Sequence, residues 1–125
     1  MNPEEQFKFR TKQLALRVIR LVEALPKGRS TDIIGRQLLR SATSVGANYR
    51  AACRAKSAAD MIAKLSIVEE EADETLYWLE LLGDSGLIHE SRLADLMKET
   101  DEIVAMTVAA IKTLRMRQRK ARPGH

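Results

Sequence analysis

The stretch "RQLLRSATSVGANYRAACRA", Arg36–Ala55, has to be a helix with two very different sides. At about 100° per residue, Leu38, Ala42, Val45, Tyr49 and Ala52 fall on one face, with Ile34 just upstream extending it. Arg36, Arg40, Arg50 and Arg54 gather within about 80° of one another on the other face. From Arg36 to Arg54 is five turns, or about 27 Å of axis. The apolar stripe demands partner helices. The arginine stripe demands a surface: solvent, a neighbouring subunit or a ligand.

The flanking sequence supplies the partners. A first helix is expected over residues 5–25, with Phe7, Leu14, Val18, Leu21, Val22 and Leu25 in one stripe and Pro26 and Gly28 ending it. Ser30 or Thr31 is suited to cap the second helix, because a hydroxyl accepts from the free N–H groups of a first turn. Ser57 opens a third helix, with Asp60 placed to reach back as in a capping box. Its stripe is Met61, Leu65, Val68, Ala72, Leu76 and Leu79, and Gly83 is the expected stop. A fourth helix over residues 90–117 turns Leu93, Leu96, Met97, Ile103, Val104, Ile111 and Leu114 inward. No strand or hairpin pattern competes. The fold expected is all-α, an antiparallel up-down-up-down four-helix bundle, with residues 1–114 as the bundle and residues 115–125 as a basic C-terminal tail.

Composition agrees. Of 125 residues, 45% are hydrophobic and 30% charged, and only two Phe, two Tyr and one Trp are aromatic. That suits an aliphatic helical core in one domain. A single cysteine, Cys53, excludes an internal disulfide and fits a reducing compartment. The N-terminal "MNPEEQFKFR" lacks the apolar core of a signal peptide, and no apolar run is long enough to cross a bilayer, so a cytoplasmic location without membrane contact is expected.

Charge is segregated along the chain. Residues 1–56 hold 12 Lys/Arg against 4 Asp/Glu, residues 57–114 hold 4 against 13, and residues 115–125 hold 5 basic residues and no acid. Such asymmetry favours self-association, a polyanionic partner, or both. Two further apolar sets lie off the core stripes: Phe9, Leu16 and Ile19 on the first helix, and Ile67, Trp78 and Leu81 on the third. They are expected at an oligomer interface. Joining the basic half of one subunit to the acidic half of the next would close a head-to-tail ring.

Several constellations compete for chemistry. "EEEADE", Glu69–Glu74, raises the possibility of a metal site. A di-iron bundle requires Glu-x-x-His motifs, and His89 and His125 stand in none. A magnesium-dependent nucleotide pyrophosphatase would use pairs such as Glu71/Glu74 and Glu99/Glu102, but these project away from the core stripes and do not converge. No metal, no cofactor and no catalytic residue is therefore assigned. Cys53, with no histidine near it to act as base, reads as a packing residue. Gly35, Ala42 and Gly46 share a flank of the second helix and read as a close helix approach. The arginine stripe (Arg36, Arg40, Arg50 and Arg54) and the tail (Arg115, Arg117, Arg119, Lys120 and Arg122) remain. They are either solvated surface or contacts to phosphate, which arginine forks match. Without interleaved aromatics, such contacts would follow an RNA or DNA backbone rather than read bases.

Two segments, "GRQLLRSATSVGANYRAACRAKS" and "AKLSIVEEEADETLYWLELLGDSGLI", carry a resemblance. Over residues 10–115 the chain resembles the bacterial four-helix-bundle proteins related to those encoded by 23S ribosomal RNA intervening sequences. The signature lies on Arg40, Ser41, Ser44, Asn48 and Glu74. The resemblance implies a bundle that assembles as a homopentameric ring, with no enzymatic activity. More distantly, the chain is similar to the accessory protein of diversity-generating retroelements, a basic pentamer that binds nucleic acid and its reverse transcriptase, from which it departs in its acidic third helix. On the family pattern, Arg40 and Glu74 are expected to pair within or between subunits. Ser41, Ser44 and Asn48 are expected to bond across a helix or subunit seam.

Two functions follow. The first is a non-enzymatic, homo-oligomeric scaffold associated with an RNA or DNA backbone. The second is a protein-interaction scaffold whose basic surface meets the acidic face of a neighbouring subunit.

Overall fold

In the computed structural model, which describes residues 1–121, the chain is all-helical, and no strand occurs among the described residues. α1 spans Pro3–Glu23, α2 Arg29–Cys53, α3 Ala58–Asp84 and α4 Ala94–Ala121, with a 3-10 turn at Glu90–Arg92 before α4. The four helices form a bundle. α1 packs on α2 and α4, and α3 packs on α2 and α4, so α1 and α3 occupy diagonal corners. The α2–α3 seam is the most extensive and the α1–α4 seam the sparsest.

Local chemistry sets the helix ends. Asn2 Oδ1 accepts from the Glu5 N–H at 2.8 Å, and Pro3 follows in the first turn, where its missing N–H costs nothing. Ser57 Oγ accepts from the Asp60 N–H, as expected, and Asp60 reaches back, although to the Lys56 N–H one residue further out. The start of α2 differs from expectation. Neither Ser30 nor Thr31 caps it. The helix begins at Arg29 behind an extended Gly28, and no side chain caps it. That earlier start puts Thr31 inside the first turn, where it is buried. Gly83 does not stop α3 either. It stays helical, with Leu93 packed against it, and the left-handed residue is Gly86, φ 79°.

The core is aliphatic and centred on Leu14, Val18, Leu38, Val45, Val68, Leu79, Leu82, Leu93 and Ile103. Burying one such leucine contributes about 1.5–3 kcal/mol. A second cluster of Ala52, Leu65 and Ile111, edged by Met61, Ile62 and Leu114, closes one end. The seams also hold threonines that an apolar-stripe reading passes over: Thr11, Thr75, Thr100 and Thr107 are all buried. Each hydroxyl donates to a carbonyl one turn back on its own helix, at 2.7–3.0 Å, so burial leaves it satisfied.

The glycine flank of α2 does bring helices close. A Cβ on Gly46 would lie 3.3 Å from Thr11 Oγ1 and 3.6 Å from the Thr11 backbone carbon. An interior Gly→Ala change ordinarily stabilises a helix by about 1 kcal/mol. Here Gly46→Ala should show none of that gain in urea unfolding, because the crowded Thr11 hydroxyl is held by the Phe7 carbonyl and cannot swing away freely. Gly46→Leu should cost about 1–3 kcal/mol by forcing α1 from α2.

Candidate nucleic-acid interface

The arginine stripe of α2 is present as a face, but its members differ. Arg36 is exposed and pairs with Asp32 at 2.8 Å along the same helix. Arg40 leans across the α2–α3 seam and bonds both Glu71, at 3.1 Å, and Glu74. The expected Arg40–Glu74 pair thus forms within one chain. The hydrogen bond that Arg40 donates to Glu74 is the main cause of a guanidinium pKa held above its ordinary value. Glu74 also accepts from Trp78 Nε1 at 3.1 Å, which fixes its orientation. Beneath this pair, Thr75 Oγ1 lies 2.9 Å from Ser41 Oγ in the buried seam. Ser44 and Asn48 bond carbonyls of their own helix rather than crossing a seam.

A second clamp went unread in the sequence. Arg10 on α1 grips Glu99 through two nitrogens and Glu102 at 2.9 Å, both on α4. It bridges the sparsest seam of the bundle. The two i, i+3 carboxylate pairs, Glu71/Glu74 and Glu99/Glu102, are thus each occupied by a guanidinium. Among the described residues, no group of three or more His, Cys, Asp or Glu is placed to hold a metal ion. Only the i, i+3 spacing of Glu99 and Glu102 hinted at the clamp. Nothing in sequence points Arg10 at them.

What remains for a polyanion lies towards one end. Arg50 and Arg54 are exposed and, among the described residues, make no ion pair. They flank Ala52, which packs with Ile111 and Leu114. The end of α2 and residues 115–121 of α4 therefore lie towards the same end of the bundle, on diagonal corners. Residues 115–121 continue α4, so Arg115, Arg117, Arg119 and Lys120 are helical rather than trailing from the bundle. Arg122 lies outside the described residues. A groove of about 360 Å³ between α1 and α2 adds Lys12 beside Arg50; Lys8 lines it too but is paired with Glu4 at 3.5 Å, and no acidic side chain lines the groove itself. These two lysines were not singled out in the sequence, because their proximity to Arg50 depends on the Gly46–Thr11 approach. Cys53, at the same end, has its thiol pushed up by burial, so it stays protonated near neutrality.

The outer faces of α1 and α3 carry the expected apolar sets. Phe9 and Ile19 are exposed and Leu16 is half-buried on α1, beside exposed Lys12 and Arg20. On α3, Ile67 is exposed and Leu81 half-buried, with exposed Glu70, Asp73 and Glu80 among them. Trp78 is partly turned to the core and stacks edge-on against exposed Tyr77, ring centroids 5.1 Å apart. No helix among the described residues is long and apolar enough to cross a membrane.

Comparison with known proteins places this architecture. Residues 6–109 match the family of 23S rRNA-intervening sequence proteins. The chain belongs to that family. A crystal structure of a protein of unknown function from the S23 ribosomal protein family of Bacteroides thetaiotaomicron VPI-5482 is similar, at TM-score 0.80 and 37% identity, covering 85% of this chain and 98% of that one. No curated protein matches the sequence significantly. The positions that carried the resemblance, Arg40, Ser41, Ser44, Asn48 and Glu74, all lie on α2 or α3 around their common seam. Three of the five take part in bonds across it.

The clamps give the protein an acid limb. Arg10 holds the Glu99 carboxyl below its ordinary value of 4.5. Lys64 does the same, in direction, for Asp60. A depressed carboxylate contributes stability that is fully present above its unfolded value and is lost as pH falls through its folded one. The melting temperature should therefore fall as pH drops below 4.5. Glu99→Gln should cost about 1 kcal/mol at pH 7, after allowing for water at the Arg10 side, and should flatten that acid limb. Thermal melts followed by circular dichroism from pH 7 to pH 3 read both effects.

Proposed function

We propose that this protein is a non-enzymatic, homo-oligomeric scaffold that associates with an RNA or DNA backbone through the basic end of its bundle. One observation carries the reading: Arg50, Arg54 and the cations of the last turns of α4 stand at one end of the bundle without carboxylate partners among the described residues, whereas Arg36 and Arg40 are already paired. Guanidinium groups held at helix ends, without interleaved aromatics, suit phosphate contact with little base preference. Membership of a family named for intervening sequences in 23S rRNA is consistent with such a partner. A cytoplasmic location accords with it.

The helices run up-down-up-down in this reading. Contacts support it: Phe7 meets Tyr49, Thr11 meets Gly46 and Val22 meets Gly35, so position rises on α1 as it falls on α2. Ser41 with Thr75 and Ala52 with Leu65 reverse α2 against α3, and Leu65 with Ile111 and Gly83 with Leu93 reverse α3 against α4.

The scaffold closes as a head-to-tail ring, a pentamer by the family resemblance. Its support is the diagonal placement of α1 and α3, one apolar face rimmed by Lys12 and Arg20, the other by Glu70, Asp73 and Glu80. Unlike faces on opposite corners suit a heterologous contact. The same complementarity favours a second reading, a protein-interaction scaffold in which charge serves assembly alone.

Fluorescence-anisotropy titration of nuclease-treated protein against a short RNA and a DNA duplex separates the two readings. Backbone binding should weaken steeply with salt, by a slope of about −0.9 per phosphate contact on duplex DNA. Replacing Arg50, Arg54, Arg115 and Arg117 with alanine should flatten the slope. Arg36→Ala should leave it nearly unchanged. No binding at low salt would hand the basic end to assembly. Sedimentation velocity tests the ring: the wild type should sediment as an oligomer, and Ile67→Lys, which sets a cation among apolar contacts, should sediment as a monomer with its helicity intact.

A further inference from the structure

The opposite end of the bundle, at the α1–α2 turn, contains a cavity of about 470 Å³. Its rim carries Lys27, Arg29 and Arg36, and its only acid, Asp32, is engaged with Arg36 at 2.8 Å. Val22, Leu25 and Leu39 line the apolar wall.

Two independent features point into it. The first is the N-terminus of α2. The first backbone bond of the helix runs from the Asp32 N–H to the Gly28 carbonyl at 2.9 Å, and no side chain caps the end, so the N–H groups of Arg29, Ser30 and Thr31 have no partner among the described residues. The second is Thr31 itself. It is 96% buried, the complement of a 4% exposure. Its hydroxyl makes no hydrogen bond among the described residues. No fully enclosed side-chain nitrogen or oxygen is left without a partner, so this hydroxyl keeps some exposure, and the residue that carries it lines the cavity. A buried hydroxyl with nothing to bond, beside three open amides at the positive end of a 25-residue helix, is a binding site in want of an acceptor.

We infer that this cavity is a site for a phosphate monoester group. A doubly charged phosphoryl presents several acceptor oxygens to the helix amides and the Thr31 hydroxyl, and Lys27 and Arg29 neutralise it. The leucine and valine wall leaves room for a small organic group on the ester oxygen. The site lies at the other end of the bundle from Arg50, Arg54 and the end of α4, and does not depend on nucleic-acid binding there.

Thermal melts and calorimetry of the full chain test it, with inorganic phosphate, AMP and adenosine as probes at constant ionic strength. Phosphate and AMP should raise the melting temperature saturably above a chloride control. Gly28→Asp should abolish the response. Gly28 has extended backbone, φ 169°, so aspartate fits there, caps the amides itself and repels the anion. That variant should melt no lower than wild type without ligand, so loss of response is not loss of fold. Thr31→Val should weaken binding several-fold, and Arg54→Ala should leave it unchanged. AMP binding tighter than inorganic phosphate, with adenosine silent, assigns a phosphorylated organic molecule; equal binding assigns the free anion. Melting in phosphate identical to melting in chloride would overturn the site. So would Gly28→Asp responding like wild type, or adenosine binding as well as AMP.

Discussion

The α2–α3 seam organises the rest of the molecule. It is the most extensive contact in the bundle, and Arg40 ties the basic helix α2 to the acidic α3 across it. At its centre Ser41 and Thr75 share a buried hydrogen bond, and at its rim Arg40 binds two carboxylates one helical turn apart. The hydroxyl pair costs little, because a carbonyl of its own helix lies within bonding distance of each oxygen and both protons find an acceptor. It still fixes register: sliding α3 by a turn would set a hydroxyl against apolar surface on both sides. Arg40 is half-exposed and adds modestly to stability, but a fork that fits Glu71 and Glu74 together fits no other register.

Arg10 repeats the device across α1 and α4, where there is little packing to rely on. The two clamps therefore serve different needs. On α2–α3 the fork aligns helices that would adhere anyway. On α1–α4 it compensates for a thin apolar seam. Together they remove two arginines and four glutamates from the free surface, and the charge that is left becomes polarised. Cations remain at the end shared by the tails of α2 and α4, and acids remain on the outer face of α3.

The architecture was legible in sequence because the physics behind it is periodic. Leu14, Val18, Leu38, Val45, Val68 and Leu79 recur at helical spacing, and Ser57 with Asp60 announces a helix start. What failed to show has specific causes. Thr75, Thr100 and Thr107 look polar, but a carbonyl four residues back satisfies them, so the true core stripe contains hydroxyls that a hydrophobicity pattern omits. Ser30 and Thr31 are good caps by type, but an extended Gly28 starts the helix before them. The arginine face could be drawn from a 100° wheel. Which of its members were free could not, since the partners of Arg40 are 31 and 34 residues away on another helix. The Lys8–Lys12–Arg50 groove was hidden for the same reason.

Like charges gathered at one end repel, and that repulsion has to be tolerated by the free protein. Here helix polarity helps. Arg50 and Arg54 lie at the C-terminal end of α2, and Arg119 and Lys120 in the last turn of α4, where the partial negative charge of unpaired carbonyls favours cations. This offsets part of the repulsion without using a side-chain carboxylate. A carboxylate partner would compete with an incoming phosphate, as Glu71 and Glu74 do at Arg40; a helix carbonyl on the far side of the guanidinium does not. The same polarity acts in reverse at the start of α2, where three unpaired amides lie beside a cavity lined by Lys27 and Arg29, whose one acid, Asp32, is engaged with Arg36. α2 thus presents its negative end to cations that look outward for an anion, and its positive end to a cavity built to hold one. A single helix dipole, left uncapped at one end and decorated with arginine at the other, accounts for both.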